Sequence, residues 1–201
     1  MDLIAQIALA GGLAWASGIR LYATVLLLGL LGRFDYVDLP TALTVVEHDW
    51  VLWTAGVLTL GEFVADKVPA FDSLWDALQT FVRVPAGMLL AWGALDDAGP
   101  GAQLAAALIG GAITSGTHLT KAGSRAAINH SPEPVSNWLA SFTEDGVVVG
   151  GLLLALANPW LFLGLLLAFL LLCAWLLPKL WRALRAVFRR LRGLFAARAA
   201  A

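Results

Sequence analysis

The sequence predicts an all-α, polytopic membrane helix bundle of about six segments, and three observations carry that prediction. Hydrophobic residues make up 60% of the 201 residues, mean hydropathy is +0.80, and only 13% of residues are charged, against roughly 25% in an ordinary soluble domain. Apolar runs recur at lengths near one membrane span, about 20 residues of helix. Between them lie short breaks rich in Gly, Pro and charged residues, with no stretch long enough for a separate soluble catalytic domain.

The apolar segments run from Leu3 to Leu31, Trp50 to Val64, Ser73 to Leu95, Ala102 to Leu119, Val147 to Ala157 and Trp160 to Leu177. The first is overlong and carries Ser17-Gly18-Ile19-Arg20 at its middle, where a weak helix step and a costly cation predict a broken helix. The second and fifth are too short to cross unless buried polar residues extend them. The N-terminus, Met-Asp-Leu-Ile, has no basic start or small-residue cleavage site, so the first stretch reads as a retained span. The lone cysteine, Cys173, lies in an apolar run and excludes an intrachain disulfide or a thiolate metal cluster.

Charge sets the expected orientation. Fourteen acidic and 13 basic residues give a net charge of −1, which argues against bulk nucleic-acid binding. With the C-terminus inside, six spans put Lys67, Lys121, Arg125 and the basic residues from Lys179 to Arg198 on the cytoplasmic side, leaving Arg33 in an outer loop. Both termini are then cytoplasmic, in what reads as a bacterial inner (plasma) membrane. The chain divides into a transmembrane helical domain, 1–177, and a tail, 178–201. In the tail, Leu180, Leu184, Val187, Leu191 and Leu194 recur at helical spacing among Arg182, Arg185, Arg189, Arg190 and Arg192. That is a basic amphipathic helix suited to lie on the bilayer against anionic lipids. Six Trp residues, Trp50, Trp53, Trp75, Trp138, Trp160 and Trp181, fall near span ends as interface anchors.

The candidate site is made of charges that bilayer depth should exclude. Glu62 and Asp66 lie one turn apart, as do Asp72 and Asp76, with Pro69 between the pairs and Arg83 two turns past Asp76 on the same face. His118, Lys121 and Arg125 share a face of a helix continuing from the fourth span, and Arg20 adds a cation from the first. Glu144 and Asp145 stand just before the fifth segment, where acids cap a helix N-terminus. Asn129 to Pro134 reads as a loop, and Asn137, Ser141 and Thr143 add hydrogen-bonding groups. Lys67 and these residues are expected around one cytoplasmic-side vestibule.

Taken in order, Ser17-Gly18-x-Arg20, the acidic run from Glu62 to Asp76 ending in Arg83-Val84-Pro85-Ala86-Gly87, His118-x-x-Lys121-x-x-x-Arg125, and Ser141-x-x-Glu144-Asp145 resemble the bacterial multi-pass membrane family known as domain of unknown function 4126. The resemblance covers the chain up to the basic tail and implies a membrane fold and a set of positions, with no reaction attached.

Buried ion pairs seldom gain stability over packed apolar residues, so this many suggest a use for the charge, although a set of salt bridges tying short helices together accounts for the same residues. The leading expectation is a small transporter or channel, without a cofactor, in which Arg20, His118, Lys121 and Arg125 attract an anionic group and the carboxylates form a gate or proton relay. A homodimer would help so short a chain enclose a pathway. The alternatives are a metal-dependent enzyme acting on a lipid phosphate or diphosphate, with Mg²⁺ between the paired carboxylates, and a non-transporting scaffold. Ser17-Gly18-Ile19-Arg20-Leu21 and Ser115-Gly116-Thr117-His118-Leu119 are alike, each after a Gly-Gly pair, and suggest an inverted three-plus-three repeat whose first and fourth spans run oppositely.

Overall fold

A computed structural model describes residues 1–67, 69–128 and 134–199, so the segment 129–133 read as a loop lies outside the described residues. The described residues form six α-helices and two short 3₁₀ turns and contain no strand: α1 Leu3–Arg33, α2 Asp49–Ala65, α3 Pro69–Ala94, α4 Pro100–Ile128, α5 Pro134–Ala157 and α6 Pro159–Ala199. The 3₁₀ turns, Thr41–Glu47 and Asp96–Ala98, lie in the connections after α1 and α3. Three helical segments, Leu3–Arg33, Val135–Ala157 and Pro159–Leu176, are long and apolar enough to cross a membrane. The other helices carry buried charge, and the outward surface stays apolar, with Trp50, Trp53, Leu60, Phe81, Leu108 and Leu171 among its exposed side chains. In water such a surface would demand a partner; in lipid it is the solvent-facing side.

Asp2 starts α1 by accepting a hydrogen bond from Ala5 N at 2.7 Å, a capping arrangement that satisfies one orphan amide of the first turn. Inside α1, Arg20 has φ −142° and ψ 80°, outside helical geometry. The segment folds back there. Gln6 Nε2 donates to Asp97 Oδ2 at 3.4 Å and Ala42 N, in the 3₁₀ turn after α1, to Asp96 Oδ2 at 3.2 Å, so the start of α1 and the connection that follows it both meet the α3–α4 connection. A straight helix of this length would hold its ends about 45 Å apart. Met1 and Ala5 also share a cavity with Leu31, Tyr36 and Val37.

These contacts define a loop end and an opposite end. From the loop end, residues 3–19 run parallel to α4: Thr114 Oγ1 donates to Ala14 O at 2.8 Å, and Gly18 packs against Thr114, Thr117 and His118. Gly12 lies against Ala155 and Phe162, and Gly151 against Trp15, so α5 runs antiparallel to 3–19 and α6 parallel. Trp15 meets Phe162 and Phe169 edge-on, with centroids 6.1 and 6.3 Å away, in a core with Leu9, Leu13, Val148 and Leu152.

Expectations change at several points. The start of α1 sits at the loop end, whereas Thr120 meets Cys173 of α6 toward the opposite end. The two Ser-Gly motifs stand side by side on parallel segments, so they do not mark spans running oppositely. The short fifth segment is a full helix from Pro134, extended by Asn137, Ser141 and Glu144 facing inward, which places Glu144 and Asp145 in mid-helix and removes their capping role. In the tail, α6 continues as helix through Pro178 to Ala199; most of the tail's side chains, from Leu180 onward, lie outside the described residues.

A Cβ added at Gly18 would lie 2.7 Å from both Thr114 O and Thr117 Cβ, whereas one at Gly116 meets nothing within 4 Å. Gly18→Ala is expected to lower stability by about 1–3 kcal/mol through overpacking, with Gly116→Ala near neutral. Thermal unfolding of the two variants in the same detergent checks this, and equal melting temperatures would contradict the close approach.

Candidate functional site

At the end opposite the loops, five helices bring charged side chains into one buried network. Arg20 is placed by the break in α1, Glu62 and Asp66 by one turn at the end of α2, Asp72, Asp76 and Arg83 by the first four turns of α3, Lys121 and Arg125 by α4, and Glu144 and Asp145 by α5. Glu62, Asp66, Asp72 and Arg83 are fully buried, and Arg20 and Arg125 are 1% exposed. The side chains of Glu144 and Asp145 keep 16% and 35% exposure, so the network reaches the surface on the α5 side.

Arg20 is the hub. Its guanidinium lies 2.6 Å from Asp66 Oδ2, 2.9 Å from Asp145 Oδ1 and 3.6 Å from Glu144 Oε2, and its Nη2 donates to Ser141 Oγ at 2.8 Å. Arg125 grips Asp66 Oδ2 at 3.0 Å and Glu144 through two bonds of 2.8 and 3.0 Å, the planar fork that arginine supplies and lysine cannot. Arg83 pairs with Glu62 and lies 3.2 Å from Asp76 Oδ1. Lys121 stands 3.4 to 3.9 Å from Glu62, Asp66, Asp76 and Glu144 at once, a central point charge shared by carboxylates of three helices.

The break in α1 feeds this network with backbone. Ile19 O accepts from Lys121 Nζ at 3.0 Å and Gly18 O from Arg83 Nη1 at 3.4 Å. A helix C-terminus carries partial negative charge on its unsatisfied carbonyls, and here it points into the cations. His118 is fixed between two partners: Arg83 Nη1 lies 2.9 Å from Nδ1 and Thr80 Oγ1 2.8 Å from Nε2. A guanidinium only donates, so Nδ1 accepts and the ring is the neutral Nε2–H tautomer. Thr80 in turn donates to Asp76 O at 3.0 Å.

Of the residues expected at the site, Lys67 stands apart. Its Nζ sits over the Phe63 ring, 2.8 Å from the centroid, and donates to Phe63 O, with Trp138 and Phe142 beyond. It lies in the turn after α2, where desolvation first, then the charge of Arg20, holds its ammonium below the ordinary lysine value. Thr80 and the carbonyls of Gly18, Ile19 and Asn137 were not legible as site groups; backbone acceptors have no side-chain signature, and a lone Thr on an apolar helix gives none. Among the described residues, no three of His, Cys, Asp and Glu are arranged to hold a metal ion. The carboxylates meet guanidinium groups instead.

Such a molecule is a helical membrane protein built round a buried acid–base network at one end of the bundle. The chain belongs to a family defined by a domain of unknown function, DUF4126, whose model matches residues 7–179. No curated protein and no solved structure matches the chain at a significant level.

Removing one member of a buried pair leaves the other charge uncompensated, at a cost of about 3–5 kcal/mol. Glu62→Leu should therefore unfold far more readily than the wild type, and Arg83→Met added to it should recover much of the loss. A double-mutant cycle by denaturant unfolding measures the coupling; strictly additive effects would contradict the pairing.

Proposed function

We propose that the protein is a small membrane carrier whose buried network forms the site for an ionic or proton-coupled substrate. The observation that carries this reading is the break at Arg20, where a helix running from the loop end stops at the network and turns the carbonyls of Gly18 and Ile19 onto Arg83 and Lys121. Discontinuous helices whose ends meet ions at the centre of a bundle are the recurring device of secondary transporters. Charge at this depth is expensive and is kept where an ion or a proton has to pass.

The excess of basic residues in Lys67, Lys121, Arg125 and the tail supports a cytoplasmic position for the network end, with the N-terminus outside. Residues 21–33, α2 and α3 run opposite to α4, α5 and α6 respectively, which keeps an inverted repeat in the proposal with its register moved past the break. A second copy would have a place to pack, since α5 leaves Gly146 and Gly150 with nothing within 4 Å of an added Cβ. The basic tail remains the candidate for anionic lipid.

One observation favours a different reading. Arg20 alone ties α1 to α2 and α5 through Asp66, Glu144 and Asp145, which is what a static clamp in a scaffold would require. Flux separates the two. In proteoliposomes enclosing a pH-sensitive dye, with a potential imposed by potassium and valinomycin, the carrier moves protons or makes a supplied anion move with them. Arg83→Gln, folded by chromatography, should fall to the rate of protein-free vesicles. Wild-type flux in that variant, or no flux in the wild type, would reject the carrier in favour of the clamp.

A further inference from the structure

The buried network comes nearest to the surface beside the gap between α2 and α5. Its least buried carboxylates, Glu144 and Asp145, both stand on α5. α2 packs on α1, and α5 on α1 and α6; across the gap the two helices meet through side chains. Phe63 of α2 lies edge-on to Phe142 of α5 with centroids 5.7 Å apart, and Trp138 joins Phe142 at 6.5 Å. Each ring follows a buried polar residue in the chain, Phe63 after Glu62, Trp138 after Asn137 and Phe142 after Ser141. Successive helical residues are turned by about 100°, so the rings flank the polar faces of both helices and roof the gap.

Lys67 completes the row. Its Nζ lies 2.8 Å from the Phe63 centroid, 5.0 Å from that of Trp138 and 5.5 Å from that of Phe142, and it donates to Phe63 O at 2.9 Å. One ammonium therefore ties the end of α2 to two rings of α5. Contacts of this class act within about 6 Å and shift an equilibrium by a factor of about three to thirty, far less than breaking a buried ion pair would. The ammonium and the rings can swing aside while every ion pair of the network stays closed. Behind Trp138, Asn137 is 1% exposed, and neither its amide oxygen nor its amide nitrogen has a partner among the described residues. On the α2 side, Asp66 Oδ1 is open in the same way. Buried polar atoms left open are costly unless something polar reaches them.

We propose that the seam between α2 and α5 is the entrance to the buried network, and that Lys67, seated on Phe63, Phe142 and Trp138, is the latch that closes it. The use of the entrance rests on the carrier reading, while the latch stands on the geometry of the seam. With the ammonium off its rings, a small polar solute meets Asn137 and Asp66, the second of which Arg20 and Arg125 hold from the inner side. The break in α1 is then reached without crossing the aromatic and aliphatic core around Trp15. Lys67 lies in the turn after α2, so a shift of that turn moves the latch directly.

Thiol labelling of the full chain in lipid nanodiscs, where both faces are open to reagent, tests this. Asn137→Cys in a Cys173→Ala background removes no side-chain bond of residue 137 among the described residues and puts a thiol behind the seam. A neutral, water-soluble methanethiosulfonate should modify it slowly. Because the rate follows the opening equilibrium, adding Lys67→Gln should raise it by about three- to thirtyfold. Lys67→Arg, which keeps a cation for the rings, should leave it near the starting value. Phe142→Ala should raise it as well, so the latch stays testable if Lys67→Gln fails to fold. Ala8→Cys, at a fully buried core position toward the loop end, reports unfolding and should react no faster with either change. Unchanged labelling behind the seam in folded variants, a rise with Lys67→Arg equal to that with Lys67→Gln, or an equal rise at Ala8→Cys overturns the proposal. The readout needs no transport: a rate set by Lys67 in a protein without flux keeps the latch and fails the carrier, and flux with labelling indifferent to Lys67 and Phe142 does the reverse.

Discussion

Arg20 stands where α1 leaves helical geometry, and its guanidinium reaches Asp66 on α2 and Glu144 and Asp145 on α5. A cation at this depth needs several acceptors to offset its lost hydration. The chain supplies them by ending α2 on Asp66 and by carrying Ser141, Glu144 and Asp145 along one face of α5, with Lys121 and Arg125 set against the same acids. The fold-back of α1, the C-terminal end of α2 and the inward face of α5 meet at that one side chain.

The rest of the bundle makes room for this arrangement. Gly18 lets the break approach α4 at backbone distance, and Gly87 does the same for α3 against Thr114. Around Trp15, Phe162 and Phe169 the other half of the bundle packs as a dry aromatic and aliphatic core. The described cavities lined by apolar residues, such as the cleft of Trp15, Gly150, Leu154 and Phe169, open to the outer surface, where acyl chains rather than water would fill them.

How much of this could be read beforehand depends on what the pattern of residues encodes. Glu62 and Asp66, Asp72 and Asp76, and His118, Lys121 and Arg125 recur at helical spacing, so which charges share a face follows from 3.6 residues per turn, and the turn before Pro69 brings the two acidic faces together. Periodicity says nothing about the angle at a break, which is why the fold-back of 20–33 along 3–19 was not legible. Glu144 and Asp145 looked like caps because the apolar run starts after them; a helix whose inward face is polar hides its own first half from hydropathy. Lys67 follows directly on Asp66, yet aromatic rings on α2 and α5 turn its ammonium away from the carboxylates. A sequence gives neighbours along the chain, and the choice between a carboxylate and a ring is made in three dimensions.

Access to the break is the most direct test of the whole account. Ser17, fully buried with an unpartnered hydroxyl, can be replaced by Cys in a Cys173→Ala background, which removes the native cysteine. The variant is then exposed in oriented vesicles to a membrane-impermeant maleimide. An alternating site predicts protection at rest and labelling from one face once a pH gradient is imposed. Protection under every condition, in a variant that folds, would mean that the charges are locked against one another and that nothing passes.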